Sequence, residues 1–321
     1  MNLSSIPTDH INDLIAKQIL NLYSKEFLAE LKKLKKTNDA EAIHQVRVYS
    51  RRLKATFDFF SDALPSIKKE EWNKEIKRFL SALNKPRDIQ VQLDYIKILA
   101  GKNDFQNIIE VITQYLNKQQ HKQEKKITKA LKRIDDSKVF PKILRYCKKS
   151  NKKANKFLSP SNYEIIALVC SEKMVPLLNQ FNQYKSYLFN PERVEELHKS
   201  RLLIKNIRYT IEILKPIFPS LNSYLKIAVN FQTLLGEIHD CDVWFVFLED
   251  FSMHLNKKKI HFSEDDYAKL IEELDKLRTL RASERELKFE EVIKILDQEQ
   301  IVHFEKDLLN SFKTRQFISK N

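Results

Sequence analysis

Residues 43–60 read IHQVRVYSRRLKATFDFF, and residues 197–214 read LHKSRLLIKNIRYTIEIL. Each stretch has a histidine followed by three cations at one spacing. They are His44, Arg47, Arg51 and Lys54 in the first, and His198, Arg201, Lys205 and Arg208 in the second. Both obey H-x2-R-x3-[RK]-x2-[RK]. On an α-helix, positions i, i+3, i+7 and i+10 fall within an arc of roughly 80° and along about 15 Å of axis. Groups aligned in this way repel one another unless an anion neutralises them, so the expected partner is an extended polyanion. A solvated helix face would account for either row alone, but the duplication with a shared leading histidine favours a site.

The other faces of these segments are apolar. Ile43, Val46, Tyr49, Leu53, Phe57 and Phe60 mark the first; Leu197, Leu203, Ile204, Ile207, Ile211 and Leu214 mark the second. They lie opposite the basic row, the pattern of an amphipathic helix seated on a core. The row residues are therefore expected to project away from the core.

The duplication extends further. Adding 154 carries His44 to His198 and Leu64-Pro65-Ser66-Ile67 to Phe218-Pro219-Ser220-Leu221, where proline is expected to end each basic helix. Adding 152 carries Trp72 to Tyr224, Phe79 to Phe231, Leu83 to Leu235 and Arg87-Asp88 to His239-Asp240. Each half is thus expected to hold a basic helix, a proline turn, a second helix and a basic-Asp turn into a third. Asp88 and Asp240 are expected to cap that third helix.

Four of these segments resemble motifs of the CHAD family, the conserved histidine α-helical domain. Its first and second motifs are similar to the two opening stretches, and its loop motif resembles LLGEIHDCDV (residues 234–243), with LNKPRDIQV (residues 83–91) as the counterpart. One departure is Asn84-Lys85, where the family more often has a Leu-Gly-like step. The resemblance spans roughly residues 10–315. It implies an all-α fold of two pseudo-symmetric helical bundles around a central basic cleft, and a non-catalytic module that binds inorganic polyphosphate. The expected division is a repeat over residues 1–150, a basic linker over 151–162 and a second repeat over 163–321. The expected contacts to polyphosphate are the eight row residues together with Arg52, Lys85, Arg87, Lys199, Tyr209 and His239.

Composition agrees with this. Two glycines in 321 residues disfavour Gly-loop and hairpin architectures, which use glycine for positive φ. A formal net charge of +14 attracts nucleic acid, acidic lipid or polyphosphate without choosing among them. Cys147, Cys170 and Cys241 are well separated, as expected of a reduced cytoplasmic protein without a disulfide framework. No apolar run approaches 18 residues, so no membrane insertion is expected. Residues 118–156 are dense in Lys and Arg yet keep apolar residues at helical spacing, which predicts a basic helix pair.

Three other functions remain open on the residues alone. Nucleic-acid binding is less favoured, because few aromatics interleave the basic faces for base stacking. A metal-dependent polyphosphate hydrolase would need carboxylates beside the cations, and none lies in register with the two rows. A purely structural scaffold is the third. No P-loop, G-x-S-x-G or H-E-x-x-H pattern appears, and no metal or other cofactor is called for. Association with polyphosphate granules is compatible with the charge.

Overall fold

The computed structural model describes residues 8–37, 40–101, 103–148, 162–296 and 303–313. Among them, all regular structure is helical. The first half contains α1 (Thr8–Thr37), α2 (Ala40–Phe59), α3 (Ser66–Leu99), α4 (Gln106–Asp136) and α5 (Val139–Lys148). The second contains α6 (Tyr163–Lys185), α7 (Val194–Leu214), α8 (Asn222–Lys257), α9 (Glu264–Leu296) and α10 (Phe304–Ser311). The order long, basic, very long, long, short thus occurs twice. The expected basic helix pair is α4 and α5, joined at Lys138, whose φ of 51 makes the left-handed turn. Residues 151–161 of the expected linker lie outside the described residues.

The apolar stripes of α2 and α7 are seated as their spacing requires. Val46, Leu53, Phe57 and Phe60 are buried, as are Leu197, Ile204, Ile207, Ile211 and Leu214. They belong to a large core that gathers residues from all ten of these helices. A second, smaller core joins the later parts of α3 and α8 (Ile89, Ile96, Trp244, Phe251) to the earlier parts of α4 and α9 (Ile108, Ile112, Leu274, Leu277). Each core draws on both halves of the chain.

Four long helices run from one core into the other, and their sequences turn polar on the way. In α3 the large core ends at Leu83 and the small one begins at Ile89; in α8 the corresponding residues are Ile238 and Trp244. Between those limits stand Lys85, Arg87, Asp88, His239, Asp240 and Asp242. The molecule therefore has a polar waist between two apolar masses.

Two expectations are corrected here. The basic-Asp segments are not turns: α3 and α8 are continuous, so Asp88 and Asp240 are mid-helical and cap nothing. A polar stretch needs no break in a helix, because the backbone hydrogen bonds continue wherever side chains can reach solvent or each other. Nor do the prolines themselves stop the basic helices. α2 ends at Phe59 and α7 at Leu214, whereas Pro65 caps α3 and Pro219 opens a 3-10 turn. Proline fits the start of a helix, where its missing N–H would be unpaired anyway.

Candidate anion-binding site

α2 and α7 pack against each other, and their later turns are in direct contact. Arg51 Nη1 donates to the Tyr209 hydroxyl at 3.1 Å, and Arg52 Nε donates to Glu212 Oε2 at 2.8 Å. Tyr23 of α1 closes the same junction by donating to the Glu212 carbonyl at 2.9 Å. The Glu212 carboxylate, 8% exposed, also accepts from Arg208 Nε at 2.8 Å. One acid thereby joins a cation of each half. Arg52 also lies over the Tyr23 and Tyr49 rings, at cation–π distance from both.

The fourth cation of each row is matched by an acid one turn on. Lys54 pairs with Asp58 and Arg208 with Glu212, and Asp58 and Glu212 are themselves 154 residues apart. The second and third members differ. Arg47 is 6% exposed, so it does not project into solvent as its place in the row suggests. Its Nη1 donates to the Leu83 carbonyl at 2.6 Å and to Asn84 Oδ1 at 2.8 Å. Pro86 sits inside α3 without an N–H and leaves the Ala82 carbonyl without its intrahelical donor, next to the Leu83 carbonyl that Arg47 reaches.

The same turn of α8 has Gly236 where α3 has Asn84, and Ile238 where α3 has Pro86. Arg201 consequently has no equivalent of the Asn84 amide to hold it. It makes no hydrogen bond or ion pair with any described residue and remains only partly exposed. Its pKa is lowered by burial, with Asp240 and Asp88 pulling the other way and Arg51 adding to the depression.

Lys205 occupies the centre of this group. Burial, and then the charges of Arg51, Arg201, Arg47 and Lys54, push its ammonium down to about 8. Cations of both halves act on this one amine, so the duplicated rows converge in a single cluster. Asp88 stands in the same field, close to Arg47, Lys85, Arg51 and Arg201. Lys85 and Arg87 have no acidic partner among the described residues, and Lys199 has only a distant one, Glu195 at 4.0 Å.

The leading histidines do not play matching roles. His198 meets His239 of α8, with Nδ1 atoms 3.4 Å apart and ring centroids 4.8 Å apart. Burial, followed by Arg201, His198 and Lys205, drives His239 down to about 4, so the pair is neutral near pH 7. His44 lies beside Arg87, whose charge reinforces burial in lowering its pKa. Among the described residues, no three His, Cys, Asp or Glu side chains are grouped to hold a metal ion.

The twice-repeated helix order and the cations gathered at the waist now stand beside a match to the model of the CHAD domain, over residues 18–249. The chain belongs to the CHAD domain family. Among solved structures, the CHAD domain from the plant Ricinus communis is similar, with 16% identity, a TM-score of 0.60, and 88% of this chain and 91% of that one covered. PptA from Streptomyces chartreusis is similar too, with 14% identity, a TM-score of 0.54, and coverage of 89% and 99%. At such identities the likeness shows a shared fold. None of the curated proteins compared matches the chain.

In this CHAD domain the spacing of the cations aligned them along each helix, but did not show which of them are already neutralised. The expectation that no carboxylate lies in register with the rows is corrected, since Asp58 and Glu212 stand one turn beyond the fourth cations and pair with them. Glu212 also reaches Arg52 where α2 and α7 cross, which the spacing does not show. The donors holding Leu83 and Asn84 were invisible in the same way. Arg285, which ties Asp242 at 2.7 Å and the Pro191 carbonyl at 3.0 Å, comes from α9 and shares no motif with the site. No helix among the described residues is long and apolar enough to cross a membrane.

Proposed function

We propose that this CHAD domain binds inorganic polyphosphate and does not turn it over. The observation that supports it best is unspent positive charge at the waist. Arg201, Lys205, Lys85 and Arg87 lack acidic hydrogen-bond partners among the described residues, and Lys205 is held below its ordinary pKa by burial and neighbouring cations. An array in that state is stabilised by bringing in negative charge. A linear polymer with a charge on every unit meets several of these groups at once and releases its counterions as it does so. Arginine supplies forked donors for phosphate oxygens, and lysine a mobile point charge. The family resemblance of the two basic stretches points to the same ligand.

A second reading, metal-assisted hydrolysis, has one observation in its favour. Asp88 and Asp240 are equivalent carboxylates of the two halves, and both lie close to Arg201. A single experiment separates the two. Long-chain polyphosphate is titrated against orthophosphate and duplex DNA as competitors, and the mixture is then incubated with Mg²⁺. Binding that orthophosphate and DNA fail to displace, with the polymer recovered intact, is the expected outcome. Release of orthophosphate at catalytic rates would favour hydrolysis, and efficient displacement by DNA would favour a nucleic-acid binder.

A further inference from the structure

A cavity of about 590 Å³ opens beside the cationic cluster, between α3, the start of α7 and α8. Its size falls within the range of small-molecule sites. The wall contributed by α8 is graded. His239 stands at one end, Val243, Val246 and Phe247 in the middle, and Asp250 at the other end. These positions share one face of the helix, and at 1.5 Å per residue the gradient runs about 16 Å. Lys85 and Lys199 make the His239 end cationic, and His198 adds a neutral hydrogen-bonding ring there.

Two further observations point to a ligand. Val243 and Val246 are 38% and 63% exposed and form an apolar patch on the cavity wall. Gln92 of α3 lines the cavity and is 6% exposed, yet its amide makes no hydrogen bond with any described residue. An amide that lines the cavity and has no partner among the described residues is available to a ligand carrying both a donor and an acceptor. Of the acids on the wall, Asp242 is neutralised by Arg285 at 2.7 Å, and Glu195 lies 4.0 Å from Lys199. Asp250 has no such partner among the described residues and can accept a hydrogen bond.

We propose that this cavity binds a nucleoside polyphosphate. The phosphates would lie against Lys85, Lys199 and the His198–His239 pair. The sugar and base would cover Val243, Val246 and the Phe247 ring, which Trp244 and Phe251 hold in place. The Gln92 amide would pair with the donor–acceptor edge of the base, a geometry an amide matches well for adenine, and Asp250 would accept from an amino or hydroxyl group. A bare phosphate chain uses only the cationic end. The grading along α8 therefore argues for a ligand with an anionic head and an apolar, hydrogen-bonding tail.

The test compares ATP, inorganic tripolyphosphate and adenosine by titration calorimetry at one ionic strength. The proteins are the wild type, Gln92→Leu and Val246→Ser. Val246 is exposed, so its variant remains folded even if the change at Gln92 perturbs packing. ATP is expected to bind the wild type about tenfold or more tightly than tripolyphosphate, and each variant is expected to lose that preference while keeping its affinity for tripolyphosphate. Equal affinity for ATP and tripolyphosphate in the wild type, or a preference that survives both substitutions, would overturn the proposal. Long-chain polyphosphate is titrated in parallel. If it fails to bind while ATP binds as expected, the polyphosphate reading falls and this one stands.

Discussion

Arg47 and Arg201 are the same residue of a repeated motif, and the structure gives them different work. Arg47 is spent on the Leu83 carbonyl and Asn84 beside Pro86, while Arg201 has no hydrogen-bonding partner among the described residues. Arg47→Ala is therefore expected to cost about 1–3 kcal/mol of stability by leaving the buried Leu83 carbonyl without its side-chain donor, seen as a lower denaturant midpoint. Arg201→Ala should leave that midpoint in place and weaken polyphosphate binding by about tenfold or more, the loss of one charge-assisted contact. Equal effects of the two changes on stability would refute the asymmetry. Lys205 permits a test by pH. Its amine titrates near 8 in the free protein, and a bound polyanion favours the charged form and raises that value. The complex then holds more protons than the free protein around and above pH 8, so affinity falls as pH rises through that range. Calorimetry near pH 8.5 in buffers of different ionisation enthalpy should report proton uptake on binding. Lys205→Arg, charged throughout, should abolish that part of the uptake. His239 acts at the other end of the scale. Its pKa of about 4 lies below the unfolded value, so the unfolded chain binds the proton first. Its contribution to stability is complete above about 6.5 and fades as pH falls toward 4.

At the scale of elements, the contact between α2 and α7 rests on Glu212, which holds Arg52 and Arg208 together at 2.8 Å each. Removing one partner from a buried ion pair leaves uncompensated charge, here two guanidinium groups facing each other. Glu212→Gln should therefore lower unfolding stability by about 3 kcal/mol and at the same time strengthen polyphosphate binding, because two more cations become free for phosphate. A variant that binds more weakly would mean that Glu212 positions the cluster instead of competing with the ligand. The acid was visible in the sequence at i+4 from Arg208, as Asp58 is from Lys54. Its second partner was not, because i+4 spacing describes one helix and says nothing about how two helices cross. The helices themselves were legible for a related reason. Periodicity of the kind shown by Val46, Leu53, Phe57 and Phe60 reports directly which face is buried. Where a side chain's neighbour lies on another helix, as with Arg47 and α3, periodicity placed the residue on the correct row but on the wrong side of the solvent boundary. The polar segments around Asp88 and Asp240 were expected to be turns, in keeping with their resemblance to the family's loop motif. Here they mark the waist, where α3 and α8 leave one core and enter another.

For the whole molecule, the question is whether binding follows total charge or the local cluster. The chain carries a formal net charge of +14, and a field of that sign draws in any polyanion. The waist concentrates a small share of that charge, in Arg51, Arg201, Lys205, Lys85 and Arg87, where neighbouring cations and partial burial already disfavour the unliganded state. If about five phosphates are neutralised there, the logarithm of the binding constant should fall with the logarithm of salt concentration at a slope near −3.5, taking about 0.7 ion released per contact on a single-stranded polyanion. Arg201→Ala should make that slope shallower by about 0.7, one contact's share. Neutralising Lys152 and Lys153, far from the rows in sequence, should lower the net charge by two yet leave the slope unchanged. Titrations of the three proteins with long-chain polyphosphate from low to high salt make the comparison. Equal loss of slope from the waist and from Lys152 and Lys153 would show that the protein reads charge alone. In that case the convergence of two basic rows at the waist would have no bearing on recognition.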